Sequence, residues 1–249
     1  MRIAAIYDVH GNLPALEAVL EDIRRDGVDL VVIGGDVLPG PMPRESLSLL
    51  ADLDLPARFI RGNGEREVLA HLRGGPASKL PEQALEAVRW VAGELTVEQQ
   101  RWIAGWPEIL DVAVPGSGDV LFCHATPRSD TAIVTRLTAE DRFDRVLEGI
   151  TAPLVVCGHT HMQFDRIVRG TRVVNAGSVG MPFGEAGAHW LLLEPDVRLR
   201  HTSYDLPAAA ARIRATSYPQ AEEFASRDVL RPRSEGEMLE LYRRAERLG

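Results

Sequence analysis

The stretch Arg2-Ile3-Ala4-Ala5-Ile6-Tyr7-Asp8-Val9-His10-Gly11-Asn12 decides how the rest is read. Its apolar run from Ile3 to Tyr7 is too short for a helix and reads as a buried strand. It stops at a cluster of polar, turn-forming residues. Leu13 to Arg25 then carries apolar side chains at Leu13, Leu16, Val19, Leu20 and Ile23, a helical period, and Gly27 ends it. Asp29 to Gly34 reads as a second strand, Glu45 to Leu53 as a helix and Pro56 to Arg61 as a third strand. Strands alternating with helices predict parallel pairing through right-handed crossovers.

Further along, the pattern changes. From about 66 to 107 the chain reads as a helical insert, with helix starts at Pro81-Glu82-Gln83 and Thr96-Val97-Glu98. Trp90, Trp102 and Trp106 fall on apolar faces there, as core packing does. Strands are expected again at Asp119 to Cys123, Pro153 to Cys157, Phe164 to Val168, Thr171 to Asn175, His189 to Leu193 and Val197 to Ser203. Gly170 marks a hairpin turn. The tail from Pro207 reads as helical and charged. The expected division is one domain over 1–204, including the insert, and a helical extension over 205–249 packed on it or forming a homodimer contact. The insert is expected either to cap a site or to cover a sheet edge.

Bulk properties narrow the class. The chain has 249 residues, 45% hydrophobic and 26% charged, enough for one large core. Its formal net charge of −8 argues against a general nucleic-acid surface. Cys123 and Cys157 make no disulfide framework. With no leader and no apolar run of membrane length, the expected location is the cytoplasm, away from membranes.

The chemistry lies at the strand ends. The first strand ends in Asp8-Val9-His10, the second in Gly35-Asp36, the third in Gly62-Asn63. The strand at Val120 ends in His124, and that at Leu154 in Gly158-His159-Thr160-His161. Singly, each is an ordinary turn or a hydrogen-bonded histidine. Together they place metal-capable groups at the carboxyl ends of strands, where open α/β sheets bind ligands. Oxygen and imidazole donors without thiolate suit manganese first, with iron, zinc or nickel as alternatives. Seven donors exceed the needs of one ion, so two divalent ions sharing Asp36 are expected. A pair about 3.5–4 Å apart holds a hydroxide and clamps a phosphate for in-line attack.

These five blocks, in this order, resemble the calcineurin-like metallophosphoesterase superfamily, and within it the small bacterial phosphodiesterase branch. Val174-Asn175-Ala176-Gly177-Ser178-Val179-Gly180 resembles a glycine-rich turn of that branch. The resemblance implies an α/β fold (α+β in some schemes): a four-layer αββα sandwich of two mixed sheets with flanking helices. It implies that Asp8, His10, Asp36 and His161 hold one ion, and that Asp36, Asn63, His124 and His159 hold the other. Asp36, His10 and Asn63 would also carry the catalysis. It implies hydrolysis of a small phosphorylated or nucleotide-like substrate, most readily a phosphodiester.

One position departs from the family. Gly64 stands where a histidine usually follows the asparagine, in Gly62-Asn63-Gly64-Glu65. That histidine assists the leaving group, and losing general-acid help forfeits about 10²–10⁴ in rate. Good leaving groups, such as aryl diesters or nucleotide anhydrides, are therefore expected. Arg61, Arg66, His71 and Arg128 are candidates to substitute for it. Asn12, Arg61, Arg66 and Arg128 are the candidate substrate contacts, although Asn12 also suits a turn and Arg128 a salt bridge. Alternatives are a phosphomonoesterase or protein phosphatase of the same fold, or a non-catalytic metal-binding scaffold, which the Gly64 change favours.

Overall fold

A computed structural model describes residues 1–75, 79–116 and 118–248. Strands β1 (Ile3–Ile6), β2 (Leu30–Ile33) and β3 (Ala57–Phe59) are parallel and are joined through α1 (Leu13–Asp26) and α2 (Pro43–Ala51). Helices α3 (Asn63–Leu72), α4 (Glu82–Glu94) and α5 (Val97–Ala104) follow. Next come β4 (Ile109–Val114), β5 (Gly118–Cys123), α6 (Glu140–Leu147), β6 (Leu154–Cys157), β7 (Phe164–Val168), β8 (Thr171–Asn175), β9 (Ala188–Glu194) and β10 (Asp196–Thr202). The chain continues through α7 (Leu206–Arg214), α8 (Ala221–Phe224), a π-helical turn at Ala225–Leu230 and α9 (Glu235–Leu248). None of the described helices is long and apolar enough to cross a membrane.

Two mixed five-stranded sheets result, ordered β10-β9-β1-β2-β3 and β4-β5-β6-β8-β7. The period of a strand explains the layers. In β1 and just beyond it, Ile3, Ala5 and Tyr7 face the second sheet and meet Val120, Phe122, Leu154, Val156 and Val174. Ala4 and Ile6 face the other way, onto Leu16, Val19, Leu20 and Ile23 of α1. Burying each of those aliphatic side chains is worth about 1.5–3 kcal/mol. The far face of the second sheet, with Leu121, Cys123, Val155 and Cys157, packs on Phe143 of α6. The order is helix, sheet, sheet, helix, as the family resemblance implies. Both cysteines are buried in that packing.

Local signals hold where they are strong. Thr96 and Gln99 cap α5 reciprocally, side chain to backbone at 3.2 Å each way. Gly27 closes α1 with φ +65. Two elements escape sequence reading. Strand β4 lies at a sheet edge with every second residue exposed, and its short run follows directly on the helical insert. Helix α6 buries only Phe143 and lacks a side-chain cap.

The insert does two things. Trp102 of α5 and the following Trp106 pack on Phe59 of edge strand β3, ring centroids 4.9 and 5.0 Å away. Helix α4 buries Val88, Val91 and Ala92 in the main core and turns Ala87 toward the C-terminal segment, into a cluster with Leu13, Ala210, Ile213, Tyr218 and Phe224. Met238 and Leu239 of α9 pack on Met162 and Phe183.

Candidate metal centre

The strand ends meet at one edge of the sandwich. Asp8 and His10 follow β1, Asp36 follows β2, Asn63 opens α3 after β3, His124 follows β5, and His159 and His161 follow β6. Asp8, His10, Asp36, His159 and His161 have φ of 54, 47, 51, 66 and 58°. Among the described residues, Arg169 is the one other non-glycine residue with positive φ. Left-handed backbone costs an L-residue roughly 1–2 kcal/mol and persists only where its surroundings dictate it. Here the loops cross tightly: the backbone N–H groups of Asp8 and His10 donate to the carbonyls of Gly35 and Asp36 at 3.1 and 2.9 Å.

Two groups of donors form. Asp8, His10 and His161 have ligand atoms within 4.8 Å of one another, and so do Asp36, His124 and His159. Asp36 lies between the groups, with Oδ2 3.9 Å from His10 Nε2 and Oδ1 3.5 Å from His124 Nε2.

The hydrogen bonds around the imidazoles fix which nitrogen is free. His10 Nδ1 faces the Pro39 carbonyl at 3.2 Å, His161 Nδ1 that of Met181 at 2.8 Å, and His124 Nδ1 that of Gly34 at 3.0 Å. A carbonyl only accepts, so each Nδ1 carries a proton, which leaves each Nε2 as the nitrogen able to ligate. His10 Nε2 and His161 Nε2 then confront each other at 3.2 Å, a contact that needs a proton on one of them or a cation between them. Asp8 Oδ1 is buried with no hydrogen-bond partner, while Oδ2 accepts from the His159 N–H at 2.8 Å. Asn63 Oδ1 stands 3.1 Å from His124 Nε2, 2.9 Å from His159 Nδ1 and 3.0 Å from the Asp130 carbonyl. Turning the amide over would give a donor those contacts. A cation satisfies the oxygen as it stands, and satisfies the facing nitrogens and the orphaned carboxylate oxygen as well. The donor set therefore fits metal ions.

Electrostatics lead the same way. Burial alone would raise the Asp36 carboxyl, but the charge and hydrogen bond of His124 outweigh it and hold Asp36 below the usual carboxylate range. Burial would lower His124, yet the Asp36 charge, that hydrogen bond and the Asp8 charge push it up to about 10. His159 is driven down to about 4 by burial and by His124. Burial would lower His161 too, yet the Asp8 charge raises it. Two buried carboxylates thus draw positive charge to themselves, through protonated imidazoles where no cation is bound.

A supporting carboxylate escapes sequence reading. Glu65 is fully buried and accepts from the backbone N–H groups of Asp36, Leu38 and Gly62 at 2.9, 2.9 and 2.8 Å. It ties the Asp36 loop to the start of α3. Burial and the Asp36 charge push its carboxyl up to about 7, against those donors. The neighbouring Gly64 has a steric reason to be glycine. Its N–H donates to Asp36 Oδ1 at 2.7 Å, and a Cβ there would sit 2.0 Å from the Leu38 carbonyl oxygen.

Two clefts open on the cluster. One, of about 310 Å³, is lined by His10, Ala87 of α4, Phe183 and the C-terminal residues Tyr218, Arg227 and Arg233. The other, of about 180 Å³, is lined by His124, Thr126, Arg66, Arg128 and Asp130.

The candidate substrate contacts divide. Arg66 and Arg128 line the smaller cleft, but Arg66 is paired with Asp130 at 2.6 Å and Arg128 with Glu148 at 3.5 Å. Arg61 is paired with Glu108 at 2.8 Å. Asn12 is fully buried; it caps α1 through Ala15 N–H and donates to the Gly180 carbonyl at 2.9 Å, so it fixes the turn and does not face either cleft. His71 is exposed in the last turn of α3 and lines neither cleft. Arg227 and Arg233 carry no sequence signal, because nothing in the tail's periodicity says where it docks.

Comparison with known proteins gives a consistent picture. A metallophosphoesterase of Sphaerobacter thermophilus is 27% identical, with a TM-score of 0.70, covering 91% of this chain and 97% of its own. A hypothetical protein of Pyrococcus horikoshii has the same fold, with a TM-score of 0.78 at 18% identity over 94% and 99% of the two chains. An uncharacterized protein of Methanocaldococcus jannaschii is 25% identical over 88% of this chain and 94% of its own. The family model for the calcineurin-like phosphoesterase superfamily domain matches residues 1–197, and the chain belongs to that superfamily.

Proposed function

We propose that the chain is a metal-dependent phosphodiesterase acting on small, nucleotide-like esters. Asp8, His10 and His161 would hold one divalent ion, Asn63, His124 and His159 a second, with Asp36 shared. Mixed oxygen and imidazole donors favour manganese, then iron, zinc or nickel. When bound, such a pair supplies an activated water and Lewis-acid stabilisation of the phosphoryl oxygens. The observation that carries the reading is the convergence of ligand atoms at His10, His161, Asp8 and Asn63, including a carboxylate oxygen with no hydrogen-bond partner.

The chain's own part is positioning. Backbone carbonyls at Pro39, Gly34 and Met181 hold three imidazoles in the ligating tautomer. Glu65 clamps the loops that carry Asp36 and Asn63. Water oxygen bonds to phosphorus, one ester P–O bond breaks, and an alcohol and a phosphomonoester leave. A diester is favoured over a monoester because a cleft opens on each side of the cluster, one for each ester arm. No imidazole stands at position 64, so leaving groups that depart without a proton, such as phenolates, should react fastest.

The test is Mn²⁺-dependent release of p-nitrophenol from bis-p-nitrophenyl phosphate, with metal content measured in parallel. Activity lost on chelation, restored by Mn²⁺ and absent in Asp36→Asn is expected. Protein that binds no Mn²⁺, or an Asp36→Asn variant as active as the parent, defeats the proposal.

A further inference from the structure

The larger cleft is walled by parts of the chain outside the strand-end loops. On one side is α4; on the other are Tyr218, α8 and the π-helical turn. Gln83 joins the two walls: its side chain donates to Glu223 at 2.6 Å, and its carbonyl accepts from Gln220 at 2.7 Å. The lower end of the segment is fastened too. Gly184 N–H donates to the Arg233 carbonyl at 2.9 Å, and Arg136 pairs with Glu235. Phe183, stacked on His161 with ring centroids 5.3 Å apart, carries the apolar floor up to the metal cluster. The cleft is therefore a built and braced space that begins at His10.

Two of its guanidinium groups are left unclaimed, unlike those of the arginines that border the other cleft and brace the C-terminal segment. Arg61, Arg66, Arg128, Arg136, Arg172, Arg212 and Arg214 are all engaged by carboxylates. Arg227 and Arg233 line the cleft, are exposed at its rim, and have no ion pair among the described residues. The one carboxylate between them, Asp228, is pushed up to about 7, chiefly by burial, and so opposes them only in part. Glu223 is held at the rim by Gln83. Unpaired guanidinium groups beside an apolar floor match an organic group that ends in an anion, since guanidinium binds carboxylate and phosphate through paired donors. A volume of about 310 Å³ is at the lower end of ligand-sized sites, enough for one ring with its substituent.

We propose that this cleft is a specificity subsite for one ester arm, which carries a second anionic group read by Arg227 and Arg233 while its ring packs on Phe183 and Tyr218. The proposal rests on the phosphodiesterase reading, because the arm is defined by a phosphorus held at the metal cluster.

Calorimetry on the Mn²⁺-loaded protein tests it with three probes: phenyl phosphate, p-carboxyphenyl phosphate and 1,4-phenylene bisphosphate. The wild type should bind the two dianchored probes at least about tenfold more tightly than phenyl phosphate, as charge-assisted hydrogen bonds require. A preference for the bisphosphate over the carboxylate identifies the second anion as phosphate; the reverse identifies a carboxylate. In R227Q/R233Q that advantage should vanish, and R227K/R233K should recover part of it. Equal affinity for all three probes in the wild type, or an advantage that survives R227Q/R233Q, overturns the subsite. Calorimetry reads this without turnover, so a protein that shows the advantage yet hydrolyses no ester would sink the phosphodiesterase reading alone.

Discussion

Replacing Gly64 by histidine, the residue expected there from the family, should cost both stability and activity. A Cβ at this position would lie 2.0 Å from the Leu38 carbonyl oxygen and 3.0 Å from Asp36 Oδ1. The obstacle is backbone, so the start of α3 or the Leu38 loop must retreat by more than about 1 Å to restore ordinary contact. Such overpacking costs about 1–3 kcal/mol. For a chain of this length that lowers Tm by about 2–12 °C. The retreat also stretches the Gly64 N–H to Asp36 Oδ1 bond, now 2.7 Å, and shifts the shared carboxylate. A misplacement of 1 Å at a reacting centre is worth about a hundredfold in rate. Gly64→Ala separates size from chemistry, since it adds the Cβ without an imidazole. Calorimetric Tm and kcat on bis-p-nitrophenyl phosphate check both variants. A Gly64→His protein as stable as the parent and faster on alkyl esters would refute the steric reasoning and restore a simple missing acid.

Other perturbations follow from the same contacts. Glu65→Gln puts an NH₂ group among three backbone donors and should cost about 2–5 kcal/mol in urea unfolding; a change under about 0.5 kcal/mol would contradict the clamp. Trp106→Ala, which removes the ring stacked on Phe59, should cost about 3–5 kcal/mol while leaving Mn²⁺ stoichiometry unchanged; lost metal binding would show that the tryptophans serve the site. Asp228, raised from 3.8 to about 7, keeps its proton longer folded than unfolded, so its contribution to stability declines as pH rises from about 4 to about 7. Asp228→Asn should therefore be more stable than the parent by about 1–2 kcal/mol at pH 8, after discount for its exposed part, with the gap closing toward pH 4; a gap that is constant from pH 4 to 8 would disprove it.

Much of the fold was legible because burial on both faces leaves unbroken apolar runs such as Ile3 to Tyr7, and parallel strands need both faces covered. β4 was not, although its run Ile109 to Val114 is broken only by Asp111, because it follows directly on the helical insert and pairs at a sheet edge that only folding reveals. The metal ligands were legible as residue types at strand ends, since position after a strand is itself a spatial statement in this architecture. Glu65 was visible as a residue but not as a clamp, because its partners are backbone groups of loops brought together by folding. The arginine candidates failed for the converse reason: Arg61 and Arg66 lie near the right loops, but Glu108 and Asp130 claim them. The groups unclaimed in the larger cleft, Arg227 and Arg233, come from a tail whose docking depends on Tyr218, Phe224 and Met238 finding apolar seats elsewhere.

The left-handed backbone at Asp8, His10, Asp36, His159 and His161 limits how this site can drift. Aspartate, asparagine, histidine and glycine tolerate that conformation; branched and bulky side chains do not. Mutations accepted at these five positions are thus funnelled toward a short alphabet, three of whose four members still ligate cations. A descendant that lost catalysis would keep the cradle's outline, trading aspartate for asparagine or histidine for glycine. Its relatives would then look alike in backbone long after they had stopped sharing a reaction.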